Sequence, residues 1–422
     1  MSRTNRPRRA RGRSRVGERF EVEVGAVAHG GHCVARLPEP ESRVVFVRHA
    51  LPGERVVVEV TEGTDGDRFW RGDAVEVLTS SPDRVVAPCP FSGPGLCGGC
   101  DFQHVAVPAQ RELKAAVVRE QLVRLGRLPA DSDLVTGLQV EGVPVEGRPD
   151  DGLRWRTRQR YAVLPDGRPA MRAHRSHHLV PVDDCLIAVD DARPRPGVEP
   201  GRHGEWSPGQ PEAMTSHDVT VGSATHPFSV AADGFWQVHP EAPRVLVEAV
   251  LDLLAPQPGE RALDLYAGVG LFARFVGEAT GARVVAVESD RTACQHARAN
   301  LSALKAAVVE CGPTDRVLRA GYDEPFDLVV LDPPREGAKR AVVEQVVDRH
   351  PRAVAYVACD PAALGRDVAI FAEHGYALTA IRGFDLFPMT HHVECVALWE
   401  RPGTGSCCPS LSASPGPPAR PS

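Results

Sequence analysis

"RALDLYAGVGLFA", residues 261–273, joins a short apolar strand to the start of a helix through a turn that contains Gly268 and Gly270. Two glycines keep such a turn tight and let a ligand approach the backbone. Glu288 ends the next strand, 18 residues after Gly270, where a carboxylate can accept hydrogen bonds from both hydroxyls of an adenosine ribose. Because Gly268, Gly270 and Ala273 also satisfy G-x-G-x-x-A, the stretch predicts an adenosine-containing ligand and leaves nicotinamide and S-adenosylmethionine open.

Outward from this turn, apolar strands alternate with amphipathic helices from residue 241 to residue 401. This alternation predicts an α/β fold with a doubly wound, Rossmann-like parallel sheet. The last two strands, "YALTAIRGFDLF" and "HVECVALWER", are joined by "PMTH" with no helix between them. We therefore expect the final strand to run antiparallel to its neighbours.

Reactive side chains stand at the ends of further strands. Asp332 lies in "LDPPR" (331–335) and Cys359 in "RAVAYVACDP" (352–361), while Glu394 begins the final strand. A buried cysteine is usually only a small apolar side chain, but ligands of α/β proteins bind at the carboxyl ends of the strands. An antiparallel strand starts at the edge where its parallel neighbours end, so we expect Gly268, Glu288, Asp332, Cys359 and Glu394 to converge on one edge.

Four motifs in this order, "DLYAGVG", "DPPREG", "YVACDP" and the TxHVE pattern within "MTHHVECVALW", resemble those of RNA uridine carbon-5 methyltransferases. "FWQVHP" (235–240) resembles the Phe-Phe-Gln element of that family, and the resemblance extends over most of residues 18–401. It implies a class I methyltransferase that uses S-adenosylmethionine. It further implies a nucleophile at Cys359, a proton acceptor at Glu394, and cofactor contacts at Gln237, Tyr266, Gly268, Gly270, Glu288 and Asp332.

The implied chemistry explains the need for a thiol, because carbon 5 of uracil is a poor nucleophile. A thiolate that adds to carbon 6 turns the ring into an enolate, carbon 5 takes the methyl group, and a base removes the carbon-5 proton. Three positions depart from the usual motifs: Ala358 replaces serine, Asp360 replaces asparagine and Met389 replaces histidine. Asp360 is expected to raise the pKa of the neighbouring thiol unless another group offsets its charge.

A second group of cysteines lies upstream. Cys89, Cys97 and Cys100 in "CPFSGPGLCGGC", together with Cys185, resemble the [4Fe–4S] ligands of the iron–sulfur members of the family. Four thiolates suit either such a cluster or structural zinc. The resemblance favours iron, although the first gap, C-x₇-C, is longer than the family often has. The other cysteines up to residue 400 are expected to be ordinary small side chains: Cys33, Cys294, Cys311 and Cys395.

Composition shifts divide the chain into five parts. They are a basic disordered tail (1–17), an OB-like barrel that resembles the RNA-binding TRAM domain (18–80), a central domain with the cluster cysteines and RNA-binding strands (81–235), the methyltransferase domain (236–401) and a disordered tail (402–422). The helix predicted at 108–128 is expected to pack on the catalytic domain.

The charge distribution favours RNA as the partner. The formal charge is −6, but the first 15 residues hold seven Arg and no acid, and residues 154–178 hold seven Arg against one acid. Arg interleaved with Trp155 and Tyr161 can bind phosphates and stack on bases, so we expect this stretch to add RNA affinity. The family pattern makes ribosomal RNA, specifically 23S rRNA, the first choice and transfer RNA the second.

Absent signals predict the compartment. No apolar run of about 20 residues and no secretory signal occur, so we expect a cytoplasmic protein with no membrane contact. In that compartment the 11 cysteines are expected to be reduced thiols or metal ligands. We also expect the protein to be a monomer. Two alternatives stay open. One is a non-catalytic RNA-binding or ribosome-assembly factor, and the other is a nicotinamide oxidoreductase, which "DPPREG" disfavours.

Overall fold

A computed structural model of the protein describes residues 12–194, 205–206 and 214–401. The predicted tails therefore lie outside the described residues at 1–11 and 402–422. Residues 14 and 15, which the sequence assigns to the tail, contact the barrel: Ser14 bridges to Thr64, and Arg15 donates to Asp65 across 2.6 Å.

The N-terminal strands form a closed barrel in the order β1-β2-β3-β5-β4. Alternate residues of β4, Val56, Val58 and Val60, are buried, as a half-buried strand requires. Closure leaves no free sheet edge. The strands are β1 (Arg19–Ala28), β2 (His32–Arg36), β3 (Val44–Arg48), β4 (Arg55–Glu62) and β5 (Phe69–Thr79).

The middle of the chain holds two helices and two small antiparallel sheets within the described residues. One sheet has the order β10-β7-β8-β9, and β11 pairs with β12. The elements are α1 (Val107–Arg124), α2 (Asp133–Thr136), β6 (Val140–Gly142), β7 (Tyr161–Val163), β8 (Pro169–Arg172), β9 (Leu179–Pro181), a 3₁₀ turn (Asp190–Ala192), β10 (Glu205–Trp206), β11 (Met214–Val221) and β12 (Ala224–Ala231).

The C-terminal part forms the predicted α/β sheet, in the order β15-β14-β13-β16-β17-β19-β18-β6. The final strand, β19, is antiparallel to both neighbours, as predicted. The elements are α3 (Ala242–Leu254), β13 (Ala262–Leu265), α4 (Leu271–Thr280), β14 (Val284–Glu288), α5 (Arg291–Asn300), β15 (Ala307–Cys311), α6 (Thr314–Ala320), β16 (Leu328–Leu331), α7 (Lys339–Asp348), β17 (Ala353–Ala358), α8 (Pro361–Glu373), β18 (Ala377–Asp385) and β19 (Glu394–Glu400).

Upstream elements complete this sheet and its core. β6 pairs in parallel with β18 at the sheet edge, a pairing that the sequence pattern did not indicate. Helix α1 packs on α8, where a Cβ on Gly365 would lie 2.7 Å from the Gln121 carbonyl oxygen, so glycine permits the close approach. Ala115, Val118 and Leu122 of α1 share the core of the large sheet. Among the described residues, no helix has the length and apolar character that a membrane crossing requires.

Candidate active site

The predicted convergence at one edge of the sheet is present. Leu265 at the end of β13 is in register with Leu331 at the end of β16. On the other side of β16 lies β17, whose last residue, Ala358, pairs with Cys395 of β19. Cys359 follows Ala358, and Glu394 precedes Cys395. Because the two strands run in opposite directions, Cys359 and Glu394 lie opposite each other at the next register position.

The glycine turn is tied to the end of β14. Gly268 and Gly270 have φ angles of +55° and +88°, in the left-handed region that favours glycine. The Glu288 carboxylate accepts the N–H of Gly268 at 2.9 Å and that of Asp290 at 2.7 Å. A Cβ at Gly268 would meet no atom within 4 Å, so open space lies over the turn where a ligand could approach the backbone.

Two aspartates at this edge, Asp264 and Asp332, have raised pKa values. Burial, followed by the charges of Asp332 and Glu288, raises the pKa of Asp264 to about 7. One Asp264 oxygen accepts the Ala273 N–H at 2.8 Å, and the other is buried without a partner. Burial and then Glu288 raise the pKa of Asp332 to about 7 as well. None of the described residues donates a hydrogen bond to Asp332, so its carboxylate is available to a ligand's donor groups.

Cys359 and Glu394 interact in a desolvated site. Glu394 is 4% exposed, and burial raises its pKa well above the ordinary value, with Asp332 adding to the rise and Arg335 opposing it. Burial likewise raises the pKa of Cys359 to about 12, and the charges of Glu394 and Asp332 contribute. The resting site therefore holds a neutral thiol beside a carboxyl group that takes up a proton readily.

Cys359 opens onto a cavity of about 160 Å³ whose wall comes from three parts of the chain. The barrel contributes the turn 29–31, and α1 contributes Lys114. The sheet edge that carries Cys359 and Glu394, named the catalytic edge, contributes Arg335 and His392. The sequence reasoning did not single out these residues as site residues. Arg335 lies inside the "DPPREG" motif and could have been found there, whereas no local signal places the barrel turn beside residues more than 300 positions away.

Lys114 anchors α1 behind this cavity. Its side chain is fully buried, and its Nζ donates to Asp385 Oδ1 at 2.5 Å and to the Phe387 carbonyl at 3.0 Å. Burial lowers the pKa of Lys114, while Asp385 opposes the change. A buried ion pair of this kind is costly to break from one side, so it fixes the helix relative to the end of β18.

Two predicted cofactor residues are placed less directly. Tyr266 has a φ of +66°, and burial followed by Asp367 raises the pKa of its phenol to about 12. Gln237 lies in the loop before α3, next to Trp236, which stacks on His217 at 4.9 Å. Among the described residues, no hydrogen bond or ion pair joins Gln237 to the edge. These two cofactor roles stay predictions, as do those of Gly268, Gly270, Glu288 and Asp332.

The four upstream cysteines lie near one another. Burial raises the pKa of the Cys100 thiol, a hydrogen bond from Gln103 opposes the rise, and the charges of the other three thiols add to it. Burial raises the pKa of Cys97 to about 11, with contributions from Cys185 and Cys89. The donor set fits a thiolate-ligated metal or cluster in number and kind. In the part of the chain that the structure describes, however, no three His, Cys, Asp or Glu side chains are arranged to hold a metal ion.

The sheet order, the glycine turn with Glu288 and the strand ends with their acid and thiol are those of a class I methyltransferase. Three family models match the chain: TRAM domain over residues 13–75, tRNA (Uracil-5-)-methyltransferase over 321–402, and Conserved hypothetical protein 95 over 237–360. A Streptomyces coelicolor protein named as an RNA methyltransferase is 45% identical over 93% of this chain and 95% of its own.

More distant relatives carry specific names. A Chromohalobacter salexigens 23S rRNA (uracil(1939)-C(5))-methyltransferase is 30% identical over 90% of this chain and 89% of its own. The crystal structure of Pyrococcus abyssi tRNA (uracil-54, C5)-methyltransferase with S-adenosyl-L-homocysteine covers 89% of this chain and 99% of that chain, with a TM-score of 0.62 at 20% identity, and so has a similar fold. The chain belongs to the S-adenosylmethionine-dependent RNA (uracil-5) methyltransferases.

Proposed function

We propose that this protein methylates carbon 5 of a uridine in 23S ribosomal RNA through a covalent bond to Cys359, with transfer RNA as the second candidate substrate. The observation that carries the covalent route is the register of β17 against β19, which sets Cys359 beside Glu394. The ribosomal target is favoured by relatives named for 23S rRNA.

In this route the Cys359 thiol first loses its proton to solvent, the thiolate sulfur bonds to carbon 6 of the uracil, and the electrons of the carbon 5–carbon 6 double bond move to form an enolate. Bound S-adenosylmethionine supplies a methyl group on a positively charged sulfur. After carbon 5 has taken that methyl group, Glu394 accepts the carbon-5 proton, the electrons of that bond re-form the ring double bond, and the carbon 6–sulfur bond breaks to return the thiolate. The raised pKa of Glu394 makes its carboxylate a stronger base for this step.

The charges that the protein places around Cys359 oppose ionisation of its thiol. Burial and the charges of Glu394, Asp332 and Asp360 hold the pKa of Cys359 at about 12, while Arg335 opposes the rise. A positive ligand beside the carboxylates would weaken their effect on the thiol. We therefore expect Cys359 to ionise only when a positively charged ligand is bound at this edge. This limits side reactions of an exposed thiolate.

A ladder of aromatic rings on the barrel supports RNA binding, and we name His32, Phe46 and Phe69 the aromatic ladder. The ring centroids of His32 and Phe46 lie 4.8 Å apart and those of Phe46 and Phe69 lie 5.1 Å apart, both edge to face. Arg71 lies over Phe69 at 5.0 Å, and Phe69 is 40% exposed. Unpaired bases stack on such rings, and the ladder begins one residue after the turn that lines the Cys359 cavity.

The Arg-rich stretch contributes less to this surface than its sequence suggests. Arg154 forms an ion pair with Asp184 at 2.5 Å, Arg156 donates to the Arg158 carbonyl at 3.0 Å, and Arg158 donates to the Gly234 carbonyl. These side chains are partly committed to contacts within the protein. We therefore assign RNA affinity first to the barrel.

The two catalytic roles fall on opposite sides of one covalent intermediate, which gives the test. Cys359→Ala should abolish methyl transfer and any RNA–protein adduct. Glu394→Gln should permit addition and methyl transfer but block proton removal, so that methylated RNA stays attached and migrates with the protein on a denaturing gel.

A 5-fluorouridine substrate should trap the wild-type protein in the same way, because fluorine cannot leave as a cation. Cys311→Ser, at an exposed thiol, is the matched control and should leave the adduct unchanged. An adduct that survives Cys359→Ala would assign the nucleophile elsewhere, and RNA binding without any methyl transfer would favour the non-catalytic factor.

We also propose that Cys89, Cys97, Cys100 and Cys185 hold a [4Fe–4S] cluster. The support is the number and kind of the donors, four thiols whose charges act on one another, and a bound cluster would have to draw them closer, because as described no three of them are arranged to hold a metal ion. A cluster held by four thiolates would link the segment of the first three cysteines to residue 185. No step of the methyl transfer depends on it.

Anaerobically purified protein should then be brown and contain about four irons per chain. Cys185→Ser should lose the iron, whereas Cys311→Ser should keep it. One equivalent of zinc with no visible absorbance would contradict the cluster and favour a structural zinc site.

A further inference from the structure

The barrel places an imidazole beside the residue that follows the nucleophile. His29 lies in the turn between β1 and β2, and its Nε2 is 3.1 Å from Asp360 Oδ2, although the two residues are 331 positions apart. Both residues line the cavity onto which Cys359 opens. The other Asp360 oxygen accepts the Ala363 N–H at 2.8 Å and caps α8. Asp360 is thus held by a helix on one side and by the barrel on the other.

Negative charge around Cys359 makes this contact important. Three carboxyl groups, Glu394, Asp332 and Asp360, oppose ionisation of the thiol, and Arg335 is the cation that favours it. A thiolate here would be a further negative charge in a desolvated site. A group that cancels one of the three carboxylates therefore changes how readily the thiol ionises.

We propose that His29 is a positioning residue of the barrel that neutralises Asp360 and thereby keeps Cys359 able to ionise when substrate is bound. The proposal rests on the proposed role of Cys359 as the nucleophile. It also assigns the barrel a second task besides binding RNA: a barrel that is displaced from the catalytic edge would leave the charge of Asp360 uncompensated beside the thiol.

The charges that face the pair are consistent with an imidazolium–carboxylate contact. The hydrogen bond to Asp360 raises the pKa of His29 above its ordinary value against the effect of burial, while Arg366 lowers it and Glu120 raises it. Burial would raise the pKa of Asp360, but the bonds from His29 and Ala363 outweigh burial, so the pKa is lowered. When His29 is protonated, the two charges cancel.

The test is the pH profile of alkylation of Cys359 by iodoacetamide, followed by mass mapping of the peptide that contains it. His29→Gln keeps a hydrogen-bond donor but removes the positive charge. It should move the profile to higher pH and slow alkylation at neutral pH by roughly three- to ten-fold, since one uncompensated charge near a desolvated thiol changes its ionisation by up to about a power of ten. Adding Asp360→Asn to His29→Gln should restore the rate.

His226→Gln is the matched control, because His226 also contacts a carboxylate, Glu278, at 2.6 Å, but does not line the cavity. It should leave the profile unchanged. An unchanged profile in His29→Gln would overturn the proposal, and so would slow alkylation that Asp360→Asn fails to restore. Alkylation does not require methyl transfer, so a failure of the proposed function would appear separately, as an adduct that survives Cys359→Ala.

Discussion

Asp332 is a carboxylate at the centre of the site to which none of the described residues donates a hydrogen bond. Its pKa is raised to about 7 from an ordinary value of 3.8, by burial and then by Glu288. The folded protein therefore keeps a proton on Asp332 between about pH 4 and pH 7, where the unfolded chain has lost it. Folding stability due to this group falls as the pH rises through that window.

Asp332→Asn removes this titration and should therefore raise the thermal unfolding midpoint at pH 8 relative to the wild type. The gain should shrink as the pH is lowered through about 7 and be absent near pH 4, because both forms are then neutral. Methyl transfer should fall, since the amide keeps one acceptor oxygen but lacks the negative charge and the second acceptor oxygen that the carboxylate offers a ligand. Scanning calorimetry across the pH range is the measurement.

Asp131→Asn, in the exposed loop before α2, is the control and should show no such pH-dependent gain. A midpoint of Asp332→Asn that follows the wild type at every pH would show that the Asp332 carboxylate is already compensated in the folded protein.

Three further residues illustrate what sequence reasoning could and could not reach at this scale. Cys359 and Glu394 were predictable because strand direction alone places them at one edge. His29 was not, since its contact with Asp360 depends on how the barrel docks, and no pattern within the first 80 residues encodes that docking.

At the scale of elements, the turn between β1 and β2 brings the barrel into contact with the catalytic edge. Gly31 has a φ of +77°, and a Cβ at this position would lie 2.5 Å from the Cβ of His391. Gly53, before β4, has a φ of +81° and open space within 4 Å. The two glycines therefore share a backbone conformation and differ in what surrounds them.

Gly53→Ala should cost about 1 kcal/mol of unfolding free energy, from the left-handed backbone alone. Gly31→Ala should cost more, because the barrel must also move away from His391, and it should reduce methyl transfer while Gly53→Ala does not. Denaturant titration and a methyl-transfer assay on RNA measure the two effects. Equal losses in both assays would show that the turn does not position the barrel against the catalytic edge.

Elements also differed in how well the sequence predicted them. The parallel strands β13, β14, β16 and β17 were predictable because their residues are almost all buried on both faces and each strand is followed by a helix. The three residues of β6, Val140–Gly142, are too few to show a periodicity, and their pairing with β18 is decided by tertiary packing.

For the whole molecule, RNA affinity should divide between phosphate contacts and the aromatic ladder. Phe46→Ala and Phe69→Ala should each weaken binding of a single-stranded RNA by about 1–3 kcal/mol, the usual value of one stacked base. The slope of log affinity against log salt should not change, because stacking releases no counterions. Fluorescence anisotropy at several salt concentrations measures both quantities.

Val86→Ala provides the comparison, since Val86 is 94% exposed and apolar but is not part of the ladder. It should bind RNA as the wild type does. If the two phenylalanine variants changed the salt slope and left affinity at high salt intact, RNA would follow another face of the barrel.

The position of β19 has a consequence for when the protein becomes active during synthesis. Of the described strands this one is the last to be made, yet it lies between β17 and β18 and begins with Glu394, the proposed proton acceptor. Domains commonly begin to fold from the N-terminus as they leave the ribosome, but here β18 has no neighbour toward β17 until residues 394–400 have emerged. A nascent chain can therefore form its barrel early, while its thiol stays without a partner until translation has passed the final strand.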